Sequence, residues 1–80
     1  MKTIIYYPAA EKALDRMSAE TRDRVEGRIE AYALTGHGDI KAMKGRPLLR
    51  LRVGDYRVLF TEDNQVIDII NIGDRSDIYK

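Results

Sequence analysis

An 80-residue chain with a net charge of +1 makes one domain, residues 1–80, near the lower end of what folds alone. The absence of cysteine excludes disulfides and thiolate metal sites and points to a reducing compartment. The opening MKTIIYYPAA carries one positive charge and an apolar run too short for a signal sequence or a membrane span, so a cytoplasmic protein with no membrane partner is expected.

Lys2–Tyr7 is β-branched and aromatic and reads as a short strand stopped by Pro8, which fits the first turn of a helix. Ala10, Ala13, Leu14 and Met17 follow the spacing of one buried helical stripe. Ser18 breaks that helix and is placed to cap the next, with Glu20 in its first turn. Val25, Ile29, Tyr32 and Ala33 form the apolar face of the second helix, and Gly36-His37-Gly38-Asp39 ends it. Residues 39–47 read as a basic connection closed by Gly45-Arg46-Pro47.

The run LLRLRVGDYRVLF places Gly54-Asp55 between two β-rich stretches, as a two-residue hairpin requires. That turn pairs Val53 with Tyr56, Leu51 with Val58 and Leu49 with Phe60 on an apolar face. The opposite face pairs Arg52 with Arg57 and Arg50 with Leu59. A slip of one residue would bury the arginines, so the register is well specified. A second hairpin through Glu62–Gln65 leads into QVIDIINI. With Asp63-Asn64 as its loop, Ile67 and Ile69 face Phe60 and Val58, Ile70 lies beside Arg57, and Gly73-Asp74-Arg75 emerges near the Arg52/Arg57 end. The expected fold is α+β, in the order β-α-α-β-β-β. Two N-terminal helices pack on one face of a mainly antiparallel four-stranded sheet, and the other face is left open and basic.

Charge is concentrated on that second face. Residues 41–57 hold Lys41, Lys44, Arg46, Arg50, Arg52 and Arg57 against Asp55 alone, while the helices are mixed and the C-terminal stretch is acidic. Such a segment in a near-neutral chain suggests a localised anion site. Like charges directly across a strand pair cost up to about 1 kcal/mol, so the arginines are a burden unless an anion occupies the face. A guanidinium clamps phosphate with several donors but does not titrate, so it cannot act as general acid or base. The competing explanation is that these arginines are edge protection and solvated surface.

Cleaving RNA through its own 2′-hydroxyl needs a base, an acid and charge stabilisation. Carboxylates occur without metal-motif spacing, and no metal or other cofactor is expected. Histidine is the usual acid–base group of such chemistry, but the single one, His37, sits in a glycine-flanked loop away from the basic segment. Tyr79 is the better base if neighbouring arginines favour its phenolate. It reads equally well as a C-terminal aromatic packing on the sheet.

The order of elements, the segment MKGRPLLRLRVGDYRVLF (Met43–Phe60) and the closing IGDRSDIYK (Ile72–Lys80) together resemble the RelE/ParE superfamily of bacterial and archaeal toxins. Many members share the basic-glycine turn, the alternating basic strand, the G-D-Y-R-V hairpin and a close of glycine, base and tyrosine. The resemblance covers the whole chain and is nearest to the RelE-type messenger-RNA interferases. It implies ribosome-dependent cleavage of mRNA, and a cognate antitoxin that holds the toxin inactive and alone connects it to operator DNA. Arg57 and Arg75 match arginines that stabilise the scissile phosphate, and Tyr79 matches the tyrosine proposed as general base. Arg52 joins this catalytic group, while Arg50, Lys44, Arg46 and Lys41 are expected to grip flanking RNA. Asp74 departs from the pattern, since many relatives carry histidine or a base there. Two other readings share the scaffold: a ParE-like inhibitor of DNA gyrase that cleaves nothing, and a weakly active toxin serving mainly in antitoxin-dependent autoregulation.

Overall fold

Pro8 sets the first change of direction. Its fixed φ and missing N–H end the extended run β1 (Thr3–Tyr6) and open helix α1 (Pro8–Asp15) at its first position. The computed structural model describes residues 1–74. In α1 the expected stripe faces inward: Ala10 and Leu14 are buried, and Ala13 and Met17 pack against the core. Ser18 caps helix α2 (Ala19–Thr35), its Oγ accepting the Thr21 amide at 3.2 Å. Gly36 ends α2 in the left-handed region (φ 75°), which glycine enters without a Cβ clash. Val25, Ile29 and Ala33 are buried, and Tyr32 meets Phe60 edge-on with ring centroids 5.3 Å apart.

The rest of the described chain is strand: β2 (Ile40–Ala42), β3 (Leu49–Val53), β4 (Tyr56–Glu62) and β5 (Val66–Asp74). The sheet order is β1-β5-β4-β3-β2; β1 runs parallel to β5 and every other pair is antiparallel. The α+β architecture is the expected one, and both helices precede the antiparallel strands. Leu51, Val53, Val58, Phe60, Ile67, Ile69 and Ile72 form the sheet side of a core shared with the helices. Among the described residues, no helix is long and apolar enough to cross a membrane.

Three details differ from the sequence-based expectation. Among the described residues the sheet has five strands rather than four, because Ile40–Ala42, read from the sequence as part of a basic connection, pairs with β3. Three residues carry too little periodicity to stand out beside the glycine and proline that follow. The second hairpin turns one residue later than Asp63-Asn64. Asp63 pairs with Val66 through a 3.0 Å backbone bond, and its carboxylate accepts the Gln65 and Val66 amides. Moving a two-residue turn by one position shifts the partners by two and keeps the faces. Ile67 and Ile69 therefore still reach the core, opposite Glu62 and Phe60. Finally, a bulge between Leu59 and Phe60 makes Ile70 the extra residue of β5. Ile72 thereby takes the place opposite Val58, and Gly73, not Ile70, lies beside Arg57.

Candidate nucleic-acid interface

The Gly54 turn, with φ 59°, fixes the β3–β4 register as expected: Val53–Tyr56, Arg52–Arg57, Leu51–Val58, Arg50–Leu59 and Leu49–Phe60. Strand alternation then sends Arg50, Arg52 and Arg57 to the side away from the helices. The β2 pairing adds Lys41 directly opposite Arg50. The reverse face thus holds two directly opposed like-charge pairs, Arg52/Arg57 and Lys41/Arg50. The sequence pointed to Lys41 as a basic residue, but its cross-strand position depended on the unrecognised β2. The alternation Ile40-Lys41-Ala42 was the one available signal.

The side chains converge at the turn. Arg57 Nη1 donates to the carbonyls of Gly54 and Tyr56, both at 3.2 Å, and Arg52 Nε reaches the same Gly54 oxygen at 3.4 Å. Arg24 of α2 arrives from the other side, its Nη2 lying 3.6 Å from where a Cβ on Gly54 would stand. Nothing in the helical periodicity marked Arg24, which reads as ordinary helix surface. Lys41, Lys44 and Arg50 line a shallow cleft of about 310 Å³ with Ala42 and Met43. Arg46 sits in the exposed loop between β2 and β3, its amide bonded to the Met43 carbonyl.

The reverse face is less uniformly open than the sequence suggests. Arg52 and Lys41 are exposed, but Arg57 is only 6% exposed and Leu59 only 5%. Both lie on β4, the middle strand of five, where neighbours flank them on both sides. The Arg57 guanidinium accordingly folds back onto main-chain carbonyls instead of projecting outward. The Nε atoms of Arg57 and Arg50 are out of water and have no acceptor among the described residues. An orphaned guanidinium donor is costly to bury, and an anion is the partner it suits best.

Arg75 and Tyr79 lie outside the described residues. The last described residues of β5 place Gly73 beside Arg57 and Asp74 beside Tyr56. His37 is exposed in the loop after α2, where its amide donates to Thr35 Oγ1, and it is not on the basic face.

Two helices layered over a mainly antiparallel sheet, with an arginine-rich reverse face, make a small α+β domain with an anion-seeking side. The family described as the ParE toxin of the type II toxin–antitoxin system parDE matches residues 4–79, and the chain belongs to this family. Among solved structures, a chain of the RelB–RelE antitoxin–toxin complex from Methanococcus jannaschii is similar at 24% identity and a TM-score of 0.76, covering 95% of each chain. A chain of the archaeal RelE–RelB complex from Pyrococcus horikoshii OT3 matches at 21% identity and 0.77, covering 95% of this chain and 97% of that one. The isolated E. coli RelE toxin matches at 15% identity and 0.75, covering 99% and 92%. These likenesses show a shared fold. No curated protein matches the sequence.

Proposed function

We propose that this chain is the toxin of a type II pair and acts as a ribosome-dependent endoribonuclease on messenger RNA, restrained by a cognate antitoxin. The observation that carries the reading is the gathering of two directly opposed like-charge pairs, Arg52/Arg57 and Lys41/Arg50, on one face. That arrangement is costly when empty and favourable with phosphate bound. Arg57, with Arg52 beside it and Arg75 arriving from the end of β5, would neutralise the scissile phosphate. Tyr79 would take the proton of the adjacent 2′-hydroxyl. The 2′-oxygen then attacks phosphorus, the bond to the 5′-oxygen breaks, and the leaving oxygen takes up a proton, leaving a 2′,3′-cyclic phosphate. Lys41, Lys44, Arg46 and Arg50 would grip the flanking backbone. A domain this small has little surface for selecting sequence, so presentation of the RNA by the ribosome is physically sensible. The antitoxin follows from the family, and in the similar archaeal structures the RelE chain is bound to RelB. An acidic segment covering the Arg50/Arg52 face is the form of inhibition that its charge favours.

The family match itself favours a second reading, gyrase inhibition without cleavage. Primer extension on translated mRNA and a supercoiling assay, run side by side, separate the two. Cleavage that is lost in Arg75→Ala and Tyr79→Phe, with supercoiling unaffected, is the expected result. Inhibited supercoiling with intact mRNA would assign the gyrase function instead.

A further inference from the structure

At the sheet edge remote from β2, a cleft of about 720 Å³ runs between β1 and the helices. Its floor is the free edge of β1. Thr3 and Tyr7 donate their amides to Gln65 and Ile69 of the β5 side, so alternation turns the backbone groups of Ile4 and Tyr6 outward. Among the described residues no strand lies there. At one end the Lys2 amide bonds the Ala33 carbonyl of α2, closing the cleft. Along the wall, Arg22, Glu26 and Glu30 stand one helical turn apart on α2, and Glu11 and Asp15 project from α1. The two i,i+4 acidic pairs, Glu11/Asp15 and Glu26/Glu30, repel one another, and none of the four acids has an ion-pair partner among the described residues. Arg22 gives Nη2 to the Met17 carbonyl, while its Nε is out of water with no acceptor among the described residues.

We infer that this cleft takes an extended, lysine- or arginine-bearing segment of a partner polypeptide, which adds to β1 as a sixth strand. Two features favour that occupant. Unpaired main-chain groups on a strand edge are satisfied by another strand. Basic side chains alternating with apolar ones would reach Glu26 and Glu30 on one side and Ile4 on the other. Nucleic acid is repelled by the same carboxylates. The inference rests on the reading of the chain as one half of a protein pair. It gives that pair two anchors of opposite sign, a basic face for acidic residues and an acidic cleft for basic ones.

The test titrates the full chain with a labelled, end-blocked peptide of alternating lysine and valine, about eight residues long. A glutamate–valine peptide and a lysine–valine peptide with alternate backbone nitrogens methylated serve as comparisons. The lysine peptide should bind at least about tenfold more tightly than either comparison and protect the Ile4 and Tyr6 amides from exchange. The double variant Glu26→Gln/Glu30→Gln should weaken it by about tenfold while leaving RNA cleavage unchanged. No binding, equal binding of the lysine and glutamate peptides, or protection of the β2 edge instead would overturn the inference. So would mass growth of the chain alone, which would make the occupant a second copy presenting its own basic β2. Cleavage is not read in the titration, so loss of the nuclease reading and loss of this one are separate outcomes.

Discussion

Arg57 combines two roles that pull in different directions. Its Nη1 satisfies the Gly54 and Tyr56 carbonyls, so it holds the β3–β4 turn, while its Nε is buried with no acceptor among the described residues. Arg57→Ala should therefore cost about 1–3 kcal/mol of stability besides any loss of function. Denaturant melts would show this, and an unchanged midpoint would mean that the carbonyl bonds contribute nothing. Glu62 is the other residue that ties elements together. Burial alone would raise its pKa, but the ion pair from Lys2 at 2.8 Å and the bond from the Tyr32 hydroxyl outweigh it and hold the carboxyl below its usual range. A depressed folded-state pKa stabilises the fold above the unfolded pKa, and that stability is lost as pH falls through the folded value. Glu62→Gln should cost about 1–2 kcal/mol near neutrality and flatten the decline in stability below the ordinary carboxylate pKa. The Tyr32 phenol, pushed up to about 12 by burial and by Glu62, gives the opposite sign. Its contribution is full below its unfolded value near 10 and disappears as pH rises toward 12.

At the scale of elements, the two central hairpin strands were the most legible. Gly54-Asp55 fixes the turn, and the strict alternation LRLRV against YRVLF leaves only one register that keeps guanidinium groups out of the core. The helices were equally readable, since Ser18 and Gly36 punctuate them with local chemistry. The β5 bulge was not. Asn71 Oδ1 accepts the Ile72 amide within the bulged segment, and a local bond of that kind leaves no periodic trace. Likewise, β2 exists because β3 offers it an edge, not because three residues prefer to be extended. Recognising β2 sharpens the interface, because Lys41 then opposes Arg50 and the repulsion spans three strands. Arg52→Ala should relieve one opposed pair, raising stability by up to about 1 kcal/mol. The same variant should weaken single-stranded RNA binding and lower its log–log salt slope by about 0.7. Lower stability with an unchanged salt slope would return Arg52 to the solvated surface.

For the molecule as a whole, a net charge of +1 conceals two poles. The basic face lies across β2–β4, and the acidic cleft follows β1 at the far edge of the same sheet. The sequence exposed the first pole because its bases fall within a single segment. The second is assembled from α1, α2 and β1, whose acids are interspersed with bases along the chain, so only folding collects them. The proposed catalytic roles of Arg75 and Tyr79 rest on the family resemblance, since both residues lie outside the described ones. Mapping mRNA 5′ ends in cells induced to make this chain, with translation running or blocked, tests the nuclease account most directly. New ends inside translated reading frames that vanish when translation is blocked are the predicted result. Growth arrest with no new ends would contradict it.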